Sequence, residues 1–221
     1  MRHLLQPRVL QLASLAALGS TLACYPRLAL WLHHPKPVWY LAAVIFTCGI
    51  TLWGFVFAWH APYLHRPAFD LKQEPKLFLA VTLAGMFAAA ICQQWLDPAL
   101  RPFLPEEYPA DAQHWLAALL FSLALTQLFL IFAPVVWLMR LCKSRWLAAS
   151  LTVLFGTGVL ALKLSSLATP VPLLLLAGLL AGRLLLGCLA VGFYLRGGVL
   201  LVWWWTLLLE MRHWLSFTSP P

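Results

Sequence analysis

The chain alternates between long apolar stretches and short polar ones, and the apolar stretches recur with bilayer length. The clearest, residues 38–59 (VWYLAAVIFTCGITLWGFVFAW), holds no charged residue. A helix rises about 1.5 Å per residue, so roughly 20 such residues cross the hydrocarbon core. Reading the whole chain this way predicts seven spans, at 7–24, 38–59, 77–95, 115–139, 146–164, 171–195 and 197–211. Arg8 and Gln11 interrupt the first, which reads as a retained helix because no small-residue cleavage site follows it. The last is short and carries Glu210 near its end. The expected fold is therefore an all-α polytopic membrane protein.

The connections divide the chain into two regions. Residues 1–114 hold three spans with proline-bearing links, including 33–37 (HHPKP), 60–75 and the long polar stretch 96–114, whose four prolines argue against a regular helix. Residues 115–221 hold four spans with very short links, which force antiparallel neighbours and predict one compact C-terminal bundle. In the sixth span Gly178 and Gly182 have GxxxG spacing, which predicts a tight contact with a neighbouring helix. Trp39, Trp59, Trp95, Trp115, Trp146 and Trp214 sit near span ends, as interfacial aromatics do. Of the consecutive Trp203, Trp204 and Trp205, at least one must face the bundle interior, and another is expected to face lipid.

Composition agrees, with 62% hydrophobic and 10% charged residues in 221. The net charge of +8 does not point to nucleic acid, because the basic residues form no run and no face. They read as topology signals. With the N-terminus inside, nine fall in inner segments (Arg2, Arg8, Arg66, Lys72, Lys76, Arg140, Lys143, Arg145, Arg196) and five in outer ones. The positive-inside rule then places the N-terminus in the cytoplasm and the C-terminus outside, in an inner membrane of bacterial type. The five cysteines show no CxxC and no metal-ligand spacing, and read as small apolar filler. The seven histidines lie in loops or at span ends without the spacing of a metal-binding helix face, so neither metal nor cofactor is expected.

At membrane depth the polar inventory is Arg183, Thr206, Glu210, Gln127, Gln93, Gln94 and Arg140. An intramembrane charge needs a partner or a wet cavity, and an Arg183–Glu210 ion pair is the simplest arrangement. The alternative is that Arg183 snorkels and Glu210 sits at the interface beside Arg212. No GxSxG, HExxH or glycine-rich phosphate loop is present, and 155–159 (FGTGV) reads as helix packing.

The second half resembles the CPBP family, the type II CAAX prenyl endopeptidases and bacteriocin-processing glutamic intramembrane proteases. The resemblance rests on 133–140 (APVVWLMR), on 154–159 (LFGTGV), on the glycine-rich helix and turn at 177–200, and on 206–210 (TLLLE). The family carries a glutamate pair, then histidines on two later helices. Here Val135 and Val136 stand at the glutamate positions, Val159 at the first histidine, and Thr206 with Glu210 at the last motif. Valine has neither a proton to move nor a side-chain donor for an oxyanion. The resemblance thus implies a four-helix CPBP-like bundle whose protease site is lost, with Arg140, Thr206 and Glu210 as its degenerate remnant. Val135, Val136, Val159 and Thr206 are then expected to line one apolar pocket. Such a protein would bind a membrane peptide, a lipid or a membrane-protein partner without cutting it. The rival readings are a divergent peptidase with Glu210 as base, and a transporter or accessory subunit. The topology has a direct check. Reporter fusions after Arg145 and after Trp214 should report opposite sides of the membrane, and the same side for both would reject the odd number of crossings between them.

Overall fold

The computed structural model describes residues 4, 6–31, 35–167 and 171–218. His33 and His34, and the first three residues with Arg2, lie outside these. The described residues are helical with no strand, and six helices are long and apolar enough to cross a membrane. These are α1 (Pro7–Leu30), α2 (Val38–Leu64), α3 (Pro75–Leu100), α4 (Ala112–Cys142), α5 (Arg145–Ser165) and α6 (Leu173–Trp214, its helix continuing to Thr218). The protein is membrane-embedded. Local chemistry sets several ends. Pro7 and Pro75 stand in the first turns of α1 and α3, where a missing N–H costs nothing. Asp111 caps α4 by accepting from the His114 N–H at 2.8 Å, and Ser144 caps α5. His65 and Lys143 close α2 and α4 with positive φ.

The expected sixth and seventh spans are two helical arms that follow one another from Leu173 to Thr218 and are broken at Gly198. The 46 residues from Leu173 to Thr218 would extend about 69 Å if straight, more than twice the hydrocarbon thickness. The chain folds back at Gly198, where φ is 71° and ψ −157°. Its first arm runs antiparallel to α5, with Leu179 packed by Leu164, Arg183 by Gly156 and Gly187 by Val153. Its second arm runs parallel to α3, with Trp204 on Phe78 and Thr82, Leu208 on Gly85, and Arg212 on Asp97. The arms touch each other through Phe193 and Trp205, 5.2 Å between ring centroids. Six helices are thus long and apolar enough to cross a membrane, and the last of them is folded into two antiparallel arms.

The reversal is held by the α2–α3 loop. The Val199 N–H donates to the Ala68 carbonyl at 2.9 Å, Gln73 Nε2 to the Gly197 carbonyl at 2.9 Å, and the Arg66 guanidinium to the Arg196 carbonyl. These contacts put Arg66, Arg196 and the α4–α5 turn with Lys143 at one end of the bundle. At the other end, Asp97 pairs with Arg212, and Glu107 pairs with Lys163.

Three expectations about packing change. Among the prolines of 96–114, Pro98 does not stop α3, which runs on to Leu100 through a wide π turn at Cys92–Leu96. A Cβ at Gly178, Gly182 or Gly192 would meet nothing within 4 Å, so the GxxxG pair makes no tight contact. The close small-residue contact lies instead between α1 and α2. A stripe of Ala13, Ala17, Ser20 and Cys24 is buried there, a Cβ at Gly49 would be 3.2 Å from Ala17 Cβ, and Trp53 Nε1 donates to Ser20 Oγ at 2.9 Å. Finally, the two regions share one core. Trp53 stacks near Phe69 and Phe132, and Phe132 stacks on Tyr194 at 5.1 Å, so α2, α4 and α6 meet in a single aromatic cluster. The last four spans are packed together but not closed off from α2 and α3.

Gly198→Ala should destabilise strongly. Its backbone region is reserved for glycine, and a Cβ would sit 2.6 Å from the Ala68 carbonyl oxygen. We expect a loss of roughly 2–4 kcal/mol in detergent unfolding. Gly182→Ala, with open space at its Cβ, should cost nothing measurable, and equal losses for the two would refute the docked reversal.

Candidate functional site

Two features stand out from the packed helices, one polar and internal, one apolar and facing outward. The internal one is a cavity of about 70 Å³ between α4, α5 and both arms of α6, with Gln127, Thr152, Gly156, Arg183, Gly187 and Trp205 in its wall. Gln127 is the midpoint of α4, and Gly156 and Arg183 lie close to the middles of α5 and of the first arm, so the cavity is at the middle of these apolar helices. The local helix geometry of α4 prepares it. Two π turns, Ser122–Thr126 and Leu128–Phe132, bracket Gln127. A π turn widens the helix and leaves carbonyls for other donors. Trp203 Nε1 takes the Leu123 carbonyl at 2.9 Å, and the Tyr194 hydroxyl approaches that of Phe132 at 3.5 Å.

Arg183 projects into this cavity, and glycine makes its placement possible. A Cβ on residue 156 would be 3.1 Å from the Arg183 Nη2. Among the described residues Arg183 makes no ion pair and no hydrogen bond, and no carboxylate lines the cavity. The expected pair with Glu210 does not form. Glu210 belongs to the far end of the second arm, with the Ser122 side chain beside it and His213 Nε2 at 4.0 Å. Glu210 is partly buried in the bundle instead, on the last turns of the second arm. An arginine at helix centre costs about 2.5–3.5 kcal/mol on insertion scales, a cost that water or an anion in the cavity, or snorkelling of the side chain, offsets.

The outward feature is a groove of about 400 Å³ between α2, α4 and α5, lined by Leu52, Phe55, Phe129, Pro134, Trp137 and Phe155 among others. No charged side chain lines it. It lies close to a cation. Phe55 in its wall stacks on Trp59 at 5.1 Å, and the Arg140 guanidinium sits 4.3 Å from the Trp59 ring centroid. Lys143 and Arg145 are exposed just beyond.

The site read from sequence does not assemble. Arg140 lies at the end of the bundle that holds Gly198, and Glu210 lies toward the opposite end, where its carbonyl accepts from Trp115 Nε1 at 2.9 Å. Thr206 is buried with its hydroxyl unpartnered among the described residues. Val135 and Val136 are fully buried in the core, and none of Val135, Val136, Val159 and Thr206 lines either cavity. The expected shared pocket is absent from these two, because the core closes over the paired valines. Trp205 is buried, as expected of one of the three, while Trp203 and Trp204 are partly exposed and donate their N–H groups to neighbouring helices.

Sequence reasoning missed His60. It was read as a span-end histidine, but it is buried, with Nδ1 2.8 Å from the Tyr194 hydroxyl. Thr152 was also missed, as one threonine in an apolar helix gives no signal of facing a cavity. No protein-family model, curated protein or solved structure matches this chain. The His60–Tyr194 pair should be measurable. Tyr194→Phe leaves the buried imidazole without its partner, and a loss of about 1–3 kcal/mol is expected in thermal or denaturant unfolding. An unchanged midpoint would mean the pair contributes nothing.

Proposed function

We propose that this protein binds an anionic membrane amphiphile without cutting it, with an apolar chain in the α2–α4–α5 groove and the head at Arg140, Lys143 and Arg145. The observation that carries this is the Phe55–Trp59–Arg140 ladder, which joins an uncharged aromatic groove to a guanidinium. The groove is uncharged and has room for an acyl or isoprenoid chain. Basic clusters at helix ends recognise anionic lipid heads. The same cluster, with Arg66, Lys72 and Lys76, marks the cytoplasmic side of an inner membrane under the positive-inside rule, and the N-terminus lies on that side.

The separation of Arg140 from Glu210 supports binding over hydrolysis, because general base and donor must meet at one reacting atom. On this reading the likeness to the CPBP proteins extends to helix order and not to their chemistry.

Native mass spectrometry of the detergent-purified protein tests it. Phosphatidylglycerol should be retained more tightly than phosphatidylcholine with the same chains. Leu138→Trp, which fills the groove, and Arg140→Ala, which removes the cation, should each weaken retention about tenfold. Equal retention of both lipids by the unmodified protein would sink the lipid reading. Cleavage of a membrane peptide, abolished by Glu210→Gln with the fold intact, would sink the non-cutting one.

A further inference from the structure

We infer that the internal cavity around Arg183 is a binding site for a small monovalent anion such as chloride. This goes beyond the lipid groove and rests on a different cavity, so each reading can fail without the other.

Most of the wall is apolar, and its polar groups come from Arg183, Gln127, Thr152 and Trp205. Arg183 brings a permanent charge and five N–H groups. Gln127 adds an amide, and its side chain meets no other described residue by hydrogen bond. The Trp205 ring also lines the space, and its indole N–H has no acceptor among the described residues. Thr152 contributes a hydroxyl already donated to the Ala148 carbonyl at 2.8 Å. Acceptors are the Gln127 amide oxygen and that hydroxyl, and no carboxylate balances the guanidinium. A guanidinium with no carboxylate beside it, next to an amide and an indole in an otherwise apolar wall, selects one negative charge.

Size narrows the class. A volume of about 70 Å³ has room for about five water-sized probes at ~15 Å³ each. Chloride, bromide or nitrate with one or two waters fits that space. A phospholipid head with its chains does not, and the cavity shares no lining residue with the groove. Two glycines keep it open. A Cβ at Gly187 would be 3.3 Å from Val153, and one at Gly156 would meet the guanidinium itself. The π turns on both sides of Gln127 set its side chain at this level.

The test uses the full-length protein in detergent, with chloride or nitrate exchanged for gluconate at constant ionic strength. The unfolding midpoint should rise by roughly 5 °C at saturating chloride. Arg183→Gln should abolish the dependence, while Arg101→Gln, which removes a surface charge, should keep it. In a crystal of the unmodified protein grown in bromide, the anomalous peak should lie between Arg183, Gln127 and Trp205, and this arm does not depend on a variant folding. Equal midpoints in chloride and gluconate, a dependence that survives Arg183→Gln, or only water in the cavity in the bromide crystal would each overturn the proposal.

Discussion

Everything in the second half of this molecule depends on one backbone reversal. A chain that must cross lipid has to satisfy its polar backbone wherever it stops being helical. At Gly198 the turn is made in a single residue, with a backbone geometry that only glycine tolerates. The exposed N–H and C=O groups are not left to water. The α2–α3 loop takes them, through Ala68, Gln73 and Arg66. That docking fixes where both arms of α6 stand. It therefore also fixes the opposition of Arg183 on one arm to Trp205 on the other, and so the cavity between them.

The aromatic core applies the same logic at larger scale. Lipid offers no hydrophobic drive for helices to associate, so contact must come from packing and hydrogen bonds. Small residues do this between α1 and α2. Stacked rings do it between α2, α4 and α6, where Trp53, Phe132 and Tyr194 interlock. Indole N–H groups add directed bonds: Trp203 to α4, Trp204 to α3, Trp115 to the end of α6. The tryptophans act here more as fasteners between helices than as interfacial anchors. The exposed Trp39, Trp95 and Trp146 keep the interfacial role.

Polar groups separate by depth. The end of the bundle opposite Gly198 carries acid–base pairs, Asp97 with Arg212 and Glu107 with Lys163. Burial, together with the nearby Asp97 carboxylate, pushes the Tyr108 phenol up, so this end presents a neutral hydroxyl. The Gly198 end carries Asp70 and Glu74 in the α2–α3 loop, and among the described residues Arg140, Lys143 and Arg145 form no ion pair there. Between them, Arg183 is alone among the described residues in a polar pocket. This arrangement separates the groups that a hydrolytic site would need together.

Much was legible in the sequence because the bilayer imposes a length. Apolar runs of about 20 residues and the polar links between them gave the long helices and their all-α class. The sequence also marked Arg183 and Gln127 as intramembrane polar residues, since a charge in an apolar run is visible without any fold. Which residues meet was decided only by tertiary structure. Gly178 and Gly182 have contact spacing yet face open space, while Gly156 and Gly187, with no such signature, carry the close approaches. Spacing shows which residues share a helix face, but not what that face meets. His60 found Tyr194 across 134 positions, and Glu210 stayed apart from both Arg183 and Arg140. Such pairings depend on how far each helix is rotated and how deep it sits. Rotation and depth are set by the Gly198 reversal and the ring stack, which no local pattern of apolar residues encodes.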